Sequence, residues 1–157
     1  MRPPIRITSL DNPRIRRVLS LRKHRQRREG GLFIAEGQRE ITRALAAGLR
    51  MVEFYWSPEQ TGVGNEQLAD RLGALPAEVP AVQITPTVLN KVAYRENPEG
   101  YVALFEQPTW SLEQLKMSAD PLVLVVAGIE KPGNLGAMAR TSAAAGVTAL
   151  LVADEQV

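Results

Sequence analysis

Cysteine is absent from the 157-residue sequence, and histidine occurs once, at position 24. Without thiols there are no disulfides, no thiolate nucleophile and no cysteine-ligated zinc site, and one imidazole leaves no metal-ligand cluster to build. The same absence suits a reducing compartment, so a cytoplasmic location is expected. No apolar run approaches the ~18 residues that a membrane-spanning helix requires, and no membrane partner is expected. The basic N-terminus has no apolar segment behind it, which argues against a secretory leader. Aromatic residues are few, at 5%; Trp56, Trp110, Tyr94 and Tyr101 read as core or interface residues, Tyr94 least securely because its loop has the composition of an exposed one.

What is abundant is positive charge at one end. Residues 1–28 hold ten Lys/Arg against the single acid Asp11, a net +9, while the other 129 residues carry nine basic and sixteen acidic side chains, a net −7. A basic segment on an otherwise acidic chain points to a polyanionic partner. Arg14, Arg16, Arg17, Arg22, Lys23, Arg25, Arg27 and Arg28 are the candidate phosphate contacts, and a solvated basic helix without a ligand is the plainer alternative. His24, in the same run, reads as solvated.

Pro3 and Pro4 make residues 1–10 an extended arm. Asp11-Asn12-Pro13 is a helix start, and Ile15, Val18 and Leu19 recur at helical spacing as far as Gly30-Gly31, which ends the helix. Strands are predicted at 32–35, 51–56, 81–84 and 101–105. Helices are predicted at about 38–47, with Ile41, Ala44 and Leu45 inward and Gly48 as stop, at 65–72, and from the Thr85-Pro86 cap to about Val92. Residues 61–64 read as loop, and Asn97-Pro98-Glu99-Gly100 as the turn into the fourth strand. Strands alternating with helices at these spacings predict an α/β sandwich over residues 1–106. A linker follows at 107–121, with a helical turn near Leu112.

Residues 122–157 change character. Leu122–Ala127 (LVLVVA) is a continuous apolar strand of the kind buried on both faces of a parallel sheet. A loop over 128–133, a small-residue helix over 134–145 capped by Gly146, and a strand at 149–152 complete one β-loop-α-β unit, too small to bury both faces of its own sheet. Its glycines, at 128, 133 and 136, do not follow the dinucleotide spacing G-x-G-x-x-G, although Asp154 sits where a ribose-binding acid would. Lys131 does not stand in a phosphate-loop Gly-Lys-Ser/Thr. Arg140 is the one long charged side chain on a helix of small residues, and its plainer reading is an ion pair with Glu130 or Asp154.

The run Asn134-Leu-Gly-Ala-Met-Ala-Arg140-Thr-Ser-Ala-Ala-Ala-Gly146 resembles the first signature motif of the SpoU-type RNA 2′-O-ribose methyltransferases, of the SPOUT class whose catalytic domain is tied in a deep trefoil knot. Ile7-Thr-Ser-Leu-Asp-Asn-Pro13, the arginine-rich helix and Phe33-Ile-Ala-Glu36-Gly37 are similar to that family's substrate-binding N-terminal domain, which folds like ribosomal protein L30e. The resemblance implies an L30e-like α/β/α sandwich followed by the opening, incomplete part of the knotted domain. It places Asn134 as organiser of the catalytic loop, Arg140 at the ribose 2′-hydroxyl, and Glu36-Gly37 near the RNA-facing surface; a plain strand-to-helix turn is the alternative for that pair. It further implies S-adenosylmethionine as methyl donor, RNA as substrate (23S ribosomal RNA before transfer RNA), and a homodimer formed through the knotted domain. The later motifs that supply the cofactor pocket are expected beyond Val157. The 157 residues alone are therefore expected to be inactive and to bind neither cofactor nor metal. A non-enzymatic RNA-binding module of L30e type is the rival reading, and the unit after Pro121, which such a module does not need, argues against it.

Overall fold

A computed structural model describes residues 5–64, 67–72 and 75–153. The chain divides into two compact units, Met1–Pro108 and Thr109–Val157.

The first unit opens with a correction. The N-terminal segment is not merely an extended arm: Ile5–Ile7 forms strand β1, paired in parallel with β4 (Ala81–Ile84), and Ile7 is buried. Met1–Pro4, with both prolines, lies outside the described residues. Helix α1 (Pro13–Ser20) starts as its sequence dictates, with the Asn12 side chain accepting from the Arg14 N–H at 3.0 Å and Pro13 in the first turn. It does not run on to Gly30. The Arg22 and Lys23 N–H groups turn back three residues, to Leu19 and Ser20, Lys23 becomes extended, and a separate α2 (His24–Gly30) follows. The apolar stripe of Ile15, Val18 and Leu21 ends at Leu21, and α2 buries no side chain, so nothing holds the second half of the basic segment in line with the first.

Strand β2 (Leu32–Glu36), α3 (Gln38–Ala46), β3 (Met51–Trp56), α6 (Pro86–Val92) and β5 (Tyr101–Glu106) lie close to their predicted positions. Gly48, at φ +74°, stops α3. Two short helices intervene before β4: α4 (Pro58–Thr61), in a stretch without a helix prediction, and α5 (Leu68–Leu72). The predicted start of α5, Asn65, lies outside the described residues. The Ser57-Pro58 start and the Gly62 stop, at φ +66°, are the signals that mark α4.

The five strands form one sheet in the order β1-β4-β3-β5-β2; β1, β4 and β3 are mutually parallel, and β5 runs antiparallel to both β3 and β2. Strand periodicity sorts the core into two layers. On one face Val102 and Leu104 of β5 pack with Ile15, Val18 and Leu21 and with Val88, Leu89 and Val92 of α6; on the other, Tyr101, Ala103 and Phe105 pack with Ile41 of α3 and Leu68 of α5. This is the expected α/β/α sandwich.

The second unit begins with a 3-10 turn, Leu112–Gln114, closed by a capping box between Ser111 and Gln114. Strands β6 (Val123–Val126) and β7 (Ala149–Val152) pair in parallel and are joined by α7 (Pro132–Ala144). The helix begins two residues earlier than predicted, because Pro132 fits a first turn and Gly133 is tolerated behind it. The predicted burial of β6 on both faces is not seen: Leu124 and Val125 are exposed. Nor are the small residues of α7 packed away, since Ala137, Ala139, Ala143 and Ala144 are exposed and Ser142 is its buried residue. A two-stranded sheet offers too little surface to cover them.

Candidate functional site

The basic segment separates into groups with different tasks. Arg14 projects from α1 onto Glu53, a buried acid of β3 whose other oxygen accepts from the Tyr55 phenol. Burial, reinforced by the bond to Glu53, pushes the Tyr55 phenol far above its ordinary range. Arg14 is thus the counter-charge of an internal acid. Arg22 donates through Nη2 to the carbonyls of Lys91 (2.8 Å) and Ala93 (2.6 Å), closing the C-terminal end of α6. Arg27 donates to the carbonyls of Leu21 (3.0 Å) and Arg22 (2.9 Å), tying down the break between α1 and α2. Arg16 pairs with Asp11 at 3.0 Å, and Arg25 with Glu29 at 2.7 Å, both at the surface, where such pairs exchange readily with a phosphate. Arg17, Lys23 and Arg28 are exposed and form no ion pair or side-chain hydrogen bond with the described residues.

Glu36 and Gly37 form the turn between β2 and α3. Glu36 is buried, and its Oε2 accepts from the backbone N–H groups of Tyr94 (2.7 Å) and Arg95 (3.3 Å). Its carboxylate therefore fixes the loop after α6 instead of facing solvent. Gly37 has φ +95°, and a Cβ there would meet Glu40 Oε2 at 2.9 Å and Glu99 Oε2 at 3.1 Å. Arg95 is shared between Glu99 (2.6 Å) and Glu40 (3.3 Å), and the Glu99 hydrogen bond holds its guanidinium protonated above the usual range. Beside this cluster a groove of about 540 Å³ is lined by Gln38, Arg39, Thr42, Arg43 and Glu99.

In the second unit, Gly128 has φ +67° at the end of β6, and the loop leads through buried Ile129 to exposed Glu130 and Lys131. Asn134 is the third residue of α7, with its N–H bonded to the Lys131 carbonyl at 2.9 Å; it does not cap the helix, whose N-cap is Lys131. Arg140 is exposed, and its Nη1 lies 3.4 Å from where a Cβ on Gly136 would stand, so the side chain folds back over the preceding turn. Six residues on one helix separate Asn134 and Arg140 by about 9 Å along the axis and about 120° around it. They are brought to one element but not to one contact. The ion pair of Arg140 with Glu130 does not form; Asp154 lies outside the described residues.

For two of the aromatics the core reading falls. Trp56 and Tyr101 are buried, whereas Trp110 is 80% and Tyr94 55% exposed. Tyr94 carries the Arg22 guanidinium over its ring, 5.3 Å from the centroid. The turn-rich 97–100 stretch was the available signal for an exposed loop at this point. Among the described residues no group of three His, Asp or Glu is placed to hold a metal, and no helix is long and apolar enough to cross a membrane.

A mixed-sheet α/β/α domain with a cationic edge, followed by a separate unit with a glycine-bearing loop and a small-residue helix, is a fold shared with solved RNA methyltransferases. Within that class residues 12–103 match the MRM3-like substrate binding domain, and the chain belongs to this family. It is 34% identical to an uncharacterized tRNA/rRNA methyltransferase of Synechocystis sp., over 94% of this chain and 53% of that one. Among solved structures it is similar to an RNA 2′-O ribose methyltransferase (39% identity, TM-score 0.78, 96% of this chain and 56% of that one). It is also similar to an AdoMet-bound rRNA methyltransferase from Sinorhizobium meliloti (26% identity, TM-score 0.77, 94% and 53%). The chain thus spans a little over half the length of these relatives, whose family members are RNA methyltransferases.

Proposed function

We propose that this chain grips RNA through its first unit and contributes the opening part of the catalytic domain of a 2′-O-ribose methyltransferase, acting on ribosomal RNA in preference to transfer RNA. The observation that carries the reading is the set Arg17, Lys23 and Arg28, exposed cations with no ion pair or side-chain hydrogen bond among the described residues, on the α1–α2 edge of an MRM3-like domain. Arg16 and Arg25 join them once their surface acids yield to phosphate. Each phosphate neutralised adds to the salt dependence of binding.

In the full-length enzyme Arg140 stands beside the ribose. A guanidinium only donates, so its task is to stabilise negative charge on the 2′-oxygen or an adjoining phosphate as the hydroxyl proton departs, while another group accepts that proton. Asn134 shapes the loop from within the first turn of α7. S-adenosylmethionine supplies the methyl group. The described part of the second unit does not fit as its site, since it holds no buried polar side-chain atom lacking a partner and the charged residues of its loop, Glu130 and Lys131, are exposed. The 157 residues by themselves accordingly bind RNA but not the cofactor. Dimerisation through the catalytic domain and a cytoplasmic location belong to the same reading.

Replacing Arg140 with Ala in the full-length enzyme is expected to lower the methylation rate about 10²–10³-fold, the usual loss of one charge-stabilising donor, with RNA affinity unchanged. An unchanged rate would remove Arg140 from the chemistry. Calorimetric titration of the 157-residue chain with S-adenosylmethionine is expected to show no tight binding; a stoichiometric tight site would overturn that part.

A further inference from the structure

The Tyr94 loop brings together three charged residues that each hold an internal partner and one aromatic residue that is left in the open. Glu36 holds the N–H groups of Tyr94 and Arg95, and Arg22 holds the carbonyls of Lys91 and Ala93. The backbone on both sides of Tyr94 is therefore pinned by two charged side chains, one from the end of β2 and one from the α1–α2 break. Arg22 then lies over the Tyr94 ring, and Arg95 is locked between Glu40 and Glu99. Despite this fixing Tyr94 is 55% exposed. Lys23, next to Arg22 in sequence, and Lys91, three residues before Tyr94, are exposed and unpaired among the described residues.

An aromatic ring held rigidly at the surface, backed by a guanidinium and flanked by free cations, matches what unpaired nucleotides require. The π-face takes a base of any identity, and the cations take its phosphates. Holding the ring still in advance lowers the ordering cost of binding. We propose that Tyr94 is a stacking platform for an unpaired base of the RNA, with Arg22 and Glu36 as the positioning residues that present it. This rests on the RNA-binding reading above and adds that the domain selects unpaired segments over continuous duplex.

The test uses the 157-residue chain with two probes, an RNA hairpin with an adenosine-rich loop and a fully paired duplex of similar length. Tyr94→Ala is expected to weaken hairpin binding about 5- to 150-fold, the usual worth of one stacked base, with duplex binding within about twofold of the parent. Tyr94→Phe, which keeps the ring, is expected to retain most of the hairpin affinity. 2-Aminopurine in the hairpin loop is expected to be quenched by the parent and by Tyr94→Phe but not by Tyr94→Ala. A hairpin affinity unmoved by Tyr94→Ala overturns the platform while leaving RNA binding intact. Equal losses for hairpin and duplex, with an unchanged unfolding midpoint, overturn the selectivity. A parent chain that binds neither probe sinks the RNA reading itself, and the platform with it. If Tyr94→Ala alters self-association and not RNA binding, the ring serves a protein contact and the proposal is wrong.

Discussion

The two units of this chain spend similar sequence material in opposite ways. In β5, Tyr101–Phe105 is a continuous run of buried residues, covered by α1 and α6 on one face and by α3 and α5 on the other. In β6, the equally apolar Val123–Val126 leaves Leu124 and Val125 exposed, and the alanines of α7 are uncovered. Polar groups diverge similarly. In the first unit Arg14, Arg22, Arg27 and Glu36 each satisfy an internal partner, whereas Asn134 and Arg140 of the second make no side-chain hydrogen bond among the described residues. Apolar pattern states what environment a strand needs, and a buried core exists only where enough neighbouring elements supply it.

That contrast can be broken most sharply by truncating one residue from each sheet. Leu104→Ala is expected to cost about 2–5 kcal/mol in chemical denaturation, as for a filled core position, while Val125→Ala should stay within about 0.5 kcal/mol. Comparable losses would show that the second unit is packed as tightly as the first. Native-state hydrogen exchange sharpens the same point: amides of β3 and β5 should open only with global unfolding, and those of β6 and β7 at much lower free energy.

Within the basic segment the contrast is between arginines that hold the fold and exposed cations with no ion pair among the described residues. Arg14→Ala leaves buried Glu53 without its counter-charge and is expected to cost about 1–3 kcal/mol in stability while barely changing the salt dependence of RNA binding. Arg17→Ala and Arg28→Ala should be nearly neutral for stability, yet each should reduce the slope of log K against log salt by about 0.7–0.9. The reverse pattern would exchange their roles. The smallest effect is alkaline. Because the Tyr55 phenol is raised in the folded protein, its contribution is complete below the unfolded value of about 10 and is lost as pH climbs above it. Thermal melts above pH ~10 should therefore fall, and Tyr55→Phe should flatten that fall.

Much of the architecture was legible because its signals are local. Asn12-Pro13, Thr85-Pro86 and Gly48 mark ends that depend only on backbone chemistry, and β3, β4 and β7 match their apolar runs residue for residue. The helix break at Leu21–Lys23 and the strand role of Ile5–Ile7 were not legible, since one depends on where an apolar stripe loses its neighbour and the other on a free edge of β4. For the site, composition located the charge but not its use. Eight basic residues look alike in sequence, and distance to Glu53, or to the carbonyls at the end of α6, divides them.

Sequence alone thus determined most of the element order, the cationic end, and the Asn134–Arg140 run whose resemblance points to the class, because capping, periodicity and spacing act over a few residues. Only the tertiary structure decided which charges are committed, that Glu36 turns inward to the Tyr94 loop, and that Tyr94 itself is held exposed against Arg22. Two of those links, Glu36 to Tyr94 and Arg22 to Ala93, join residues 58 and 71 positions apart in the chain, and it is packing, not local propensity, that sets such distances.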